Sequence, residues 1–189
     1  MPEGSGSDAP PPLPSPERLQ ELLFDAARLG RADMIAPLCR AGVDLEAKDP
    51  RGYTALILAT YNGSIDATRA LIEAGALFDA ADEGRGNTAL MGVAFKGYRR
   101  IAKLLLQSGA TVDARNRSGQ TALMTAALFG RADIVEDLLA HGASPLLVDA
   151  AGNSARSVAA AQGNEAIVAL LDTAARWARA GHRERSRRA

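Results

Sequence analysis

Apolar residues in this chain form short stripes separated by polar, glycine-containing turns, and the grouping recurs every 33 or 34 residues. The segment from Asp49 shows one period. Asp49-Pro50-Arg51-Gly52 has the composition of a type I turn, with Asp first, Pro second and Gly last. Thr54 follows where a helix should begin, its hydroxyl placed to accept from an orphan N–H of the first turn. Leu56, Leu58 and Ala59 supply a small apolar stripe, and Gly63 ends the helix where a left-handed residue is wanted. Ile65 to Ala74 predicts a second helix, with Ile65, Leu71 and Ile72 apolar and Gly75 at its end. Leu77-Phe78-Asp79-Ala80 then runs extended to the next turn. Each period therefore predicts two short antiparallel helices and a protruding hairpin.

The same signals return in phase. Gly52-Tyr53-Thr54-Ala55-Leu56 is echoed by Gly86-Asn87-Thr88-Ala89-Leu90, by Gly119-Gln120-Thr121-Ala122-Leu123 and, more loosely, by Gly152-Asn153-Ser154-Ala155-Arg156. Two further glycine series keep step: Gly30, Gly63, Gly97, Gly130 and Gly163, then Gly42, Gly75, Gly109 and Gly142. A fixed period in this range predicts a solenoid of stacked supersecondary units. Such units bury a face only against their neighbours, so function falls on the long surface they build.

On these motifs the chain resembles the ankyrin-repeat proteins over residues 17 to 176. The fourth unit, Gly119 to Gly130, is similar to the family pattern, as is Gly142-Ala143-Ser144-Pro145 after it. The resemblance implies an all-α fold, an ankyrin-repeat solenoid of five helix-turn-helix units with short β-hairpin loops, the units covering 17–48, 49–82, 83–115, 116–148 and 149–176. Ala55, Ala89 and Ala122 stand where the family often has Pro. Ile57, Met91 and Met124 stand where it often has His. Alanine is the best helix former, so the stack is expected to survive, without the hydrogen bonding of the His.

The two ends differ from the repeats. Residues 1–16 hold six of the nine prolines and predict a disordered leader with polyproline II character. The first helix starts at Ser15-Pro16-Glu17, with Ser15 as cap and Pro16 in the first helical position. Pro37 falls inside the second helix, where it should remove a hydrogen bond and bend the helix slightly. In the last unit Arg156 takes the place of Leu56, Leu90 and Leu123, as suits a terminal unit with one wet face. Residues 177–189 read as a basic tail. From residue 173 onward the chain carries six arginines against Glu184, so the remainder of this formally neutral protein is at −5. One extra residue lies in Asp82-Glu83-Gly84-Arg85-Gly86, displacing one hairpin tip.

Candidate chemistry is sparse. The lone Cys39 excludes an internal disulfide framework, and it should be buried and inert. His141 and His182 are the sole histidines, too few for a zinc cluster. Gly84-Arg85-Gly86 lacks the ending of a phosphate loop. No apolar run reaches eighteen residues, and residues 1–6 show no secretory signal, so a cytoplasmic monomer without transmembrane segment is expected. These readings predict a non-enzymatic module with no cofactor, no specific nucleic acid and a protein partner. In the resembled family, hairpin tips and inner-helix ends line a concave face. Mapped by repeat position, the tips carry Arg51, Tyr53, Arg85, Asn87, Arg117 and Gln120. The helix ends carry Tyr61, Asn62, Phe95, Lys96, Leu128 and Phe129. Four of the eight aromatics occupy these places, and aromatics and Arg anchor protein interfaces.

A narrower resemblance adds a partner. Residues 86–97 and 121–130 are similar to segments of small bacterial ankyrin proteins associated with catalases, which implies an accessory role in peroxide defence. Two other classes stay open. One is a small-ligand or haem carrier with Tyr61 or Met124 as ligand. The other is a binder of anionic surfaces through the arginine tail.

Overall fold

A computed structural model describes residues 14–186, with side chains to residue 180. The leader expected before residue 14 and the last three residues of the basic tail lie outside the described residues. Helices come in pairs: α1 (Pro16–Leu29) with α2 (Ala32–Arg40), α3 (Ala55–Tyr61) with α4 (Ile65–Glu73), α5 (Ala89–Lys96) with α6 (Arg99–Gln107), α7 (Ala122–Leu128) with α8 (Ala132–Ala140), and α9 (Ala155–Ala161) with α10 (Glu165–Ser186). The first helices of the pairs pack in the order α1, α3, α5, α7, α9, and the second helices stack behind them as α2, α4, α6, α8, α10.

Each inner helix starts as its sequence predicts. Ser15, Thr54, Thr88, Thr121 and Ser154 are extended residues whose hydroxyls accept from the N–H three residues on: Arg18, Ile57, Met91, Met124 and Ser157. The helices are too short to persist alone, so packing must hold them. Two leucine rows supply it. Leu23, Leu56, Leu90 and Leu123 are buried in the inner layer, one per unit. Leu38, Leu71, Leu105, Leu138 and Leu171 form the matching row behind them. Arg156 ends the first row. Its guanidinium is exposed and paired with Asp172 at 2.6 Å, so the last unit turns this position outward.

The hairpins are less regular than expected. Among the described residues the loops contain one isolated antiparallel bridge, Val148 to Ser154, and no strand. The turns close on a buried polar residue instead. The Asp49 carboxylate accepts from Arg51 N–H and Tyr53 N–H, and Asn116 accepts from Ser118 N–H and Gln120 N–H through its amide oxygen. The inserted residue of the third unit is taken up the same way. Asp82 accepts from Arg85, Gly86 and Asn87 N–H, one backbone donor more than Asp49 receives. Because side chains satisfy these amides, no ladder is needed. Adjacent tips are joined by single backbone bonds, Glu83 N–H to the Gly52 carbonyl, Arg117 to Arg85, and Ala150 to Ser118. A second set of rungs was invisible to pattern reading. Carboxylates of Glu46, Asp79 and Asp113 accept from the next unit's Leu77, Thr111 and Ser144 N–H.

Three sequence readings concern individual residues. Cys39 is half-buried rather than buried, as are Ile72 and Leu139 at the same repeat position of inner units. Burial still pushes its thiol above the ordinary 9.0. Pro37 sits inside α2, which nonetheless continues to Arg40. His141 is exposed at the end of α8, its Nδ1 2.7 Å from the Asp137 carbonyl oxygen.

The final helix outruns the stack. Among its residues with described side chains Leu171 is the last that is buried, and Trp177 is 76% exposed. Deleting residues 179–189 is therefore expected to leave helicity per remaining residue and the melting temperature nearly unchanged. A drop in melting temperature beyond about 5 °C, corresponding to more than about 1 kcal/mol, would show that the extension holds the stack together.

Candidate protein-binding groove

The inner helices and the tips border a groove of about 720 Å³ that runs from Arg28 of the first unit to Val158 of the fifth. Its floor is made at the helix positions one turn after the cap, where Ile57, Met91 and Met124 stand, and at the next residue, Leu58, Gly92, Thr125 and Val158. Gly92 is the smallest of that series. A Cβ there would lie 3.7 Å from the Tyr61 ring, so the ring rests against the open backbone of α5.

At the far wall three aromatic rings join three units. Tyr61 and Phe95 are stacked with centroids 6.2 Å apart and planes 9° from parallel, and Phe95 meets Phe129 edge-on at 4.6 Å and 90°. Both geometries are favourable aromatic arrangements. The rings remain 44%, 38% and 43% exposed, so their edges are open to solvent. They stand where they do because each inner helix ends just before the same glycine of the repeat, Tyr61 and Phe95 two residues before it and Phe129 one. The carbonyl of Phe95 accepts from the Arg131 guanidinium of the next unit at 3.3 Å, which fixes the end of α5. Lys96 Nζ lies 4.8 Å over the Tyr61 ring, a cation–π distance.

The tip wall is polar. Arg28 Nη2 pairs with Asp49 at 2.6 Å while its other nitrogen reaches Asp25. Burial alone would raise the Asp49 carboxyl. The Tyr53 N–H, the Arg28 guanidinium and the Arg51 N–H outweigh it and hold the group below its ordinary 3.8. The N–H of Asn153 is the main cause that lowers Asp149, which also accepts from Ala151. Asn116 donates to Asn87 at 2.9 Å and to Gln120 at 3.2 Å, linking two tips inside the groove.

Of the twelve residues proposed from repeat position, ten line this groove: Arg51, Tyr53, Tyr61, Asn62, Arg85, Asn87, Phe95, Gln120, Leu128 and Phe129. Lys96 and Arg117 do not. Lys96 sits above Tyr61 and Tyr98, and Arg117 donates to the Gly84 carbonyl at 2.9 Å while lying across Gly86. Both are spent on holding neighbouring units. Sequence reading missed Arg28, Met91, Gly92 and Thr125 among others, and it named Met124 only as a haem ligand. A signal existed for two kinds of them. Arg28 precedes Gly30 as Tyr61 precedes Gly63, and the methionines occupy the family's His position. Among the described residues no group of three His, Cys, Asp or Glu could hold a metal ion, and no helix is long and apolar enough to cross a membrane.

Comparison with known proteins agrees with this architecture. The family model for ankyrin repeats in three copies matches residues 23–116, and that for ankyrin repeats in many copies matches residues 105–159. A curated relative, the ankyrin repeat domain-containing protein SAT10 of Stachybotrys chartarum, is 39% identical over 64 residues, 34% of this chain. The chain spans 3% of that relative's length. With stacked helix pairs, capped turns and two family models that together run from residue 23 to residue 159, the chain belongs to the ankyrin-repeat family.

Proposed function

We propose that this chain is a non-catalytic binding module and that the groove receives its partner protein. The observation that carries this reading is the aromatic wall. Three rings from three successive units stay more than a third exposed while the leucines behind them are buried. Large rings cost little conformational entropy to present, and they dominate interface energetics. A partner that covers them gains area without ordering new side chains.

The partner proposed first is a catalase or another enzyme of peroxide defence, met in the cytoplasm. This rests on the similarity of residues 86–97 and 121–130 to catalase-associated proteins. Those two segments supply Phe95, Phe129, Met91 and Met124 to the groove.

Tyr61→Ala and Phe95→Ala are each expected to weaken partner binding by more than about 1–2 kcal/mol while the far-ultraviolet circular dichroism stays that of the wild type. Calorimetry against the catalase of the same cell reads both. Catalase binding that ignores both substitutions would end the groove reading. Absence of catalase binding, with another protein bound through the same two residues, would end the catalase reading alone.

A further inference from the structure

The charges around the groove are not balanced, and the imbalance says what kind of segment fits it. We propose that the occupant is an extended acidic segment of the partner, with carboxylates toward the tips and apolar side chains toward Tyr61, Phe95 and Phe129. The proposal rests on the groove being the partner site and adds the chemistry of what enters it.

Five charged side chains line the groove: Arg28, Arg51, Arg85, Asp82 and Asp149. Both carboxylates keep their charge and direct it at backbone N–H groups of their own turns. Asp82 is buried and accepts three backbone N–H groups of its own turn, and Asp149 accepts two. Arg28 is neutralised by Asp49 and Asp25. Arg51 and Arg85 are exposed and make no ion pair among the described residues. The neighbouring tip cations do not change the sign. Lys48 is matched by Glu83 at 3.7 Å, whereas Arg115 and Arg117 meet backbone carbonyls, which leave their charge uncompensated. The groove lining thus carries three cations against two carboxylates, and of those cations Arg51 and Arg85 are the two that no carboxylate meets. The low-dielectric floor of Ile57, Met91 and Met124 strengthens their field.

The two walls also set the form of the ligand. Cations stand at the tip ends of the inner helices and aromatics at the opposite ends. Seven residues separate Thr54 from Tyr61, a helix length of about 10 Å. An extended chain lying lengthwise between the walls sends alternate side chains to opposite edges. One set would meet Arg51 and Arg85, and the other would meet the rings. A basic segment would be repelled at the tips.

The test is selection of a displayed random dodecapeptide library on the full chain. Wild type is expected to enrich peptides that alternate Asp or Glu with apolar residues. Capture of those peptides should fall by about tenfold or more in the Arg51→Ser, Arg85→Ser double variant and on raising salt, because the Debye length shrinks to about 3 Å at 1 M. Arg100→Ser, on the exposed outer side of α6, should leave capture unchanged. Neutral or basic peptides that are lost on Phe95→Ala would overturn the charge assignment and leave the groove reading intact. Peptides indifferent to Arg51, Arg85 and Phe95 would overturn both. Enriched sequences that match a stretch of this chain would make a second copy the occupant and overturn the proposal. So would capture that appears only after residues 1–13 are removed, since the leader would then be the occupant. A library with no enrichment would exclude a short extended segment and overturn it too.

Discussion

Leu123→Ala is expected to lower stability by roughly 2–5 kcal/mol, the range for deleting a buried leucine from a packed core. Leu123 is 1% exposed and lies in α7, which packs against α5, α8 and α9. In a linear array stability is close to a sum of unit and interface contributions, so a hole in a central unit weakens both adjoining interfaces. The same substitution at the homologous Arg156 removes an exposed side chain paired with Asp172 and should have a much smaller effect. Urea unfolding of the two variants beside the wild type measures the contrast. Equal losses would mean that the two positions do not share one row, and the repeat phase would be wrong.

Asp49→Ala is expected to cost about 1–3 kcal/mol, because Arg51 N–H and Tyr53 N–H lose their acceptor inside a closed turn. The Asp49 side chain is 0% exposed, so water does not replace it readily. Asp49→Asn should be milder. Asn116 fills the equivalent place in the fourth unit and accepts from two N–H groups there, so an amide can close this turn. What the amide loses is the charge that faces Arg28. The pH dependence separates the two contributions. The folded-state carboxyl of Asp49 is held below 3.8, so its ionic stabilisation is complete above that value and is lost as pH falls through the folded value. Wild type should therefore lose stability on acidification below about pH 4. Asp49→Asn should lose less, although Asp137, lowered chiefly by its hydrogen bond from Arg99, still contributes to the slope. Urea midpoints between pH 3 and 6 test this. Identical slopes in wild type and Asp49→Asn would show that the Arg28 pair adds nothing to the folded state.

The family assignment places the chain among modules that act by contacting other proteins. Its individuality lies in the groove, where the repeated scaffold carries residues that do not repeat.

The helices, their caps and their order could be read directly from the chain, because each is decided locally. Thr54, Thr88 and Thr121 cap the first turn with an atom three residues from its partner, and the apolar stripe of each helix recurs at a fixed period. The candidate wall residues were legible for the same reason. Repeat position alone put Tyr61, Phe95 and Phe129 at corresponding ends. What the sequence could not specify is which side chains turn toward the groove and which are used up between units. Lys96 sits at the position of Asn62, and Arg117 lies on the same tip as Gln120, yet a ring and a carbonyl of a neighbouring unit capture them. The edge-on contact of Phe95 with Phe129, the hollow beside Gly92 and the burial of Asp82 over its own turn likewise depend on distances between units. Those distances come from packing the leucine rows. Local rules therefore determined the units and their number, and the contacts across units decided the shape and charge of the surface they present.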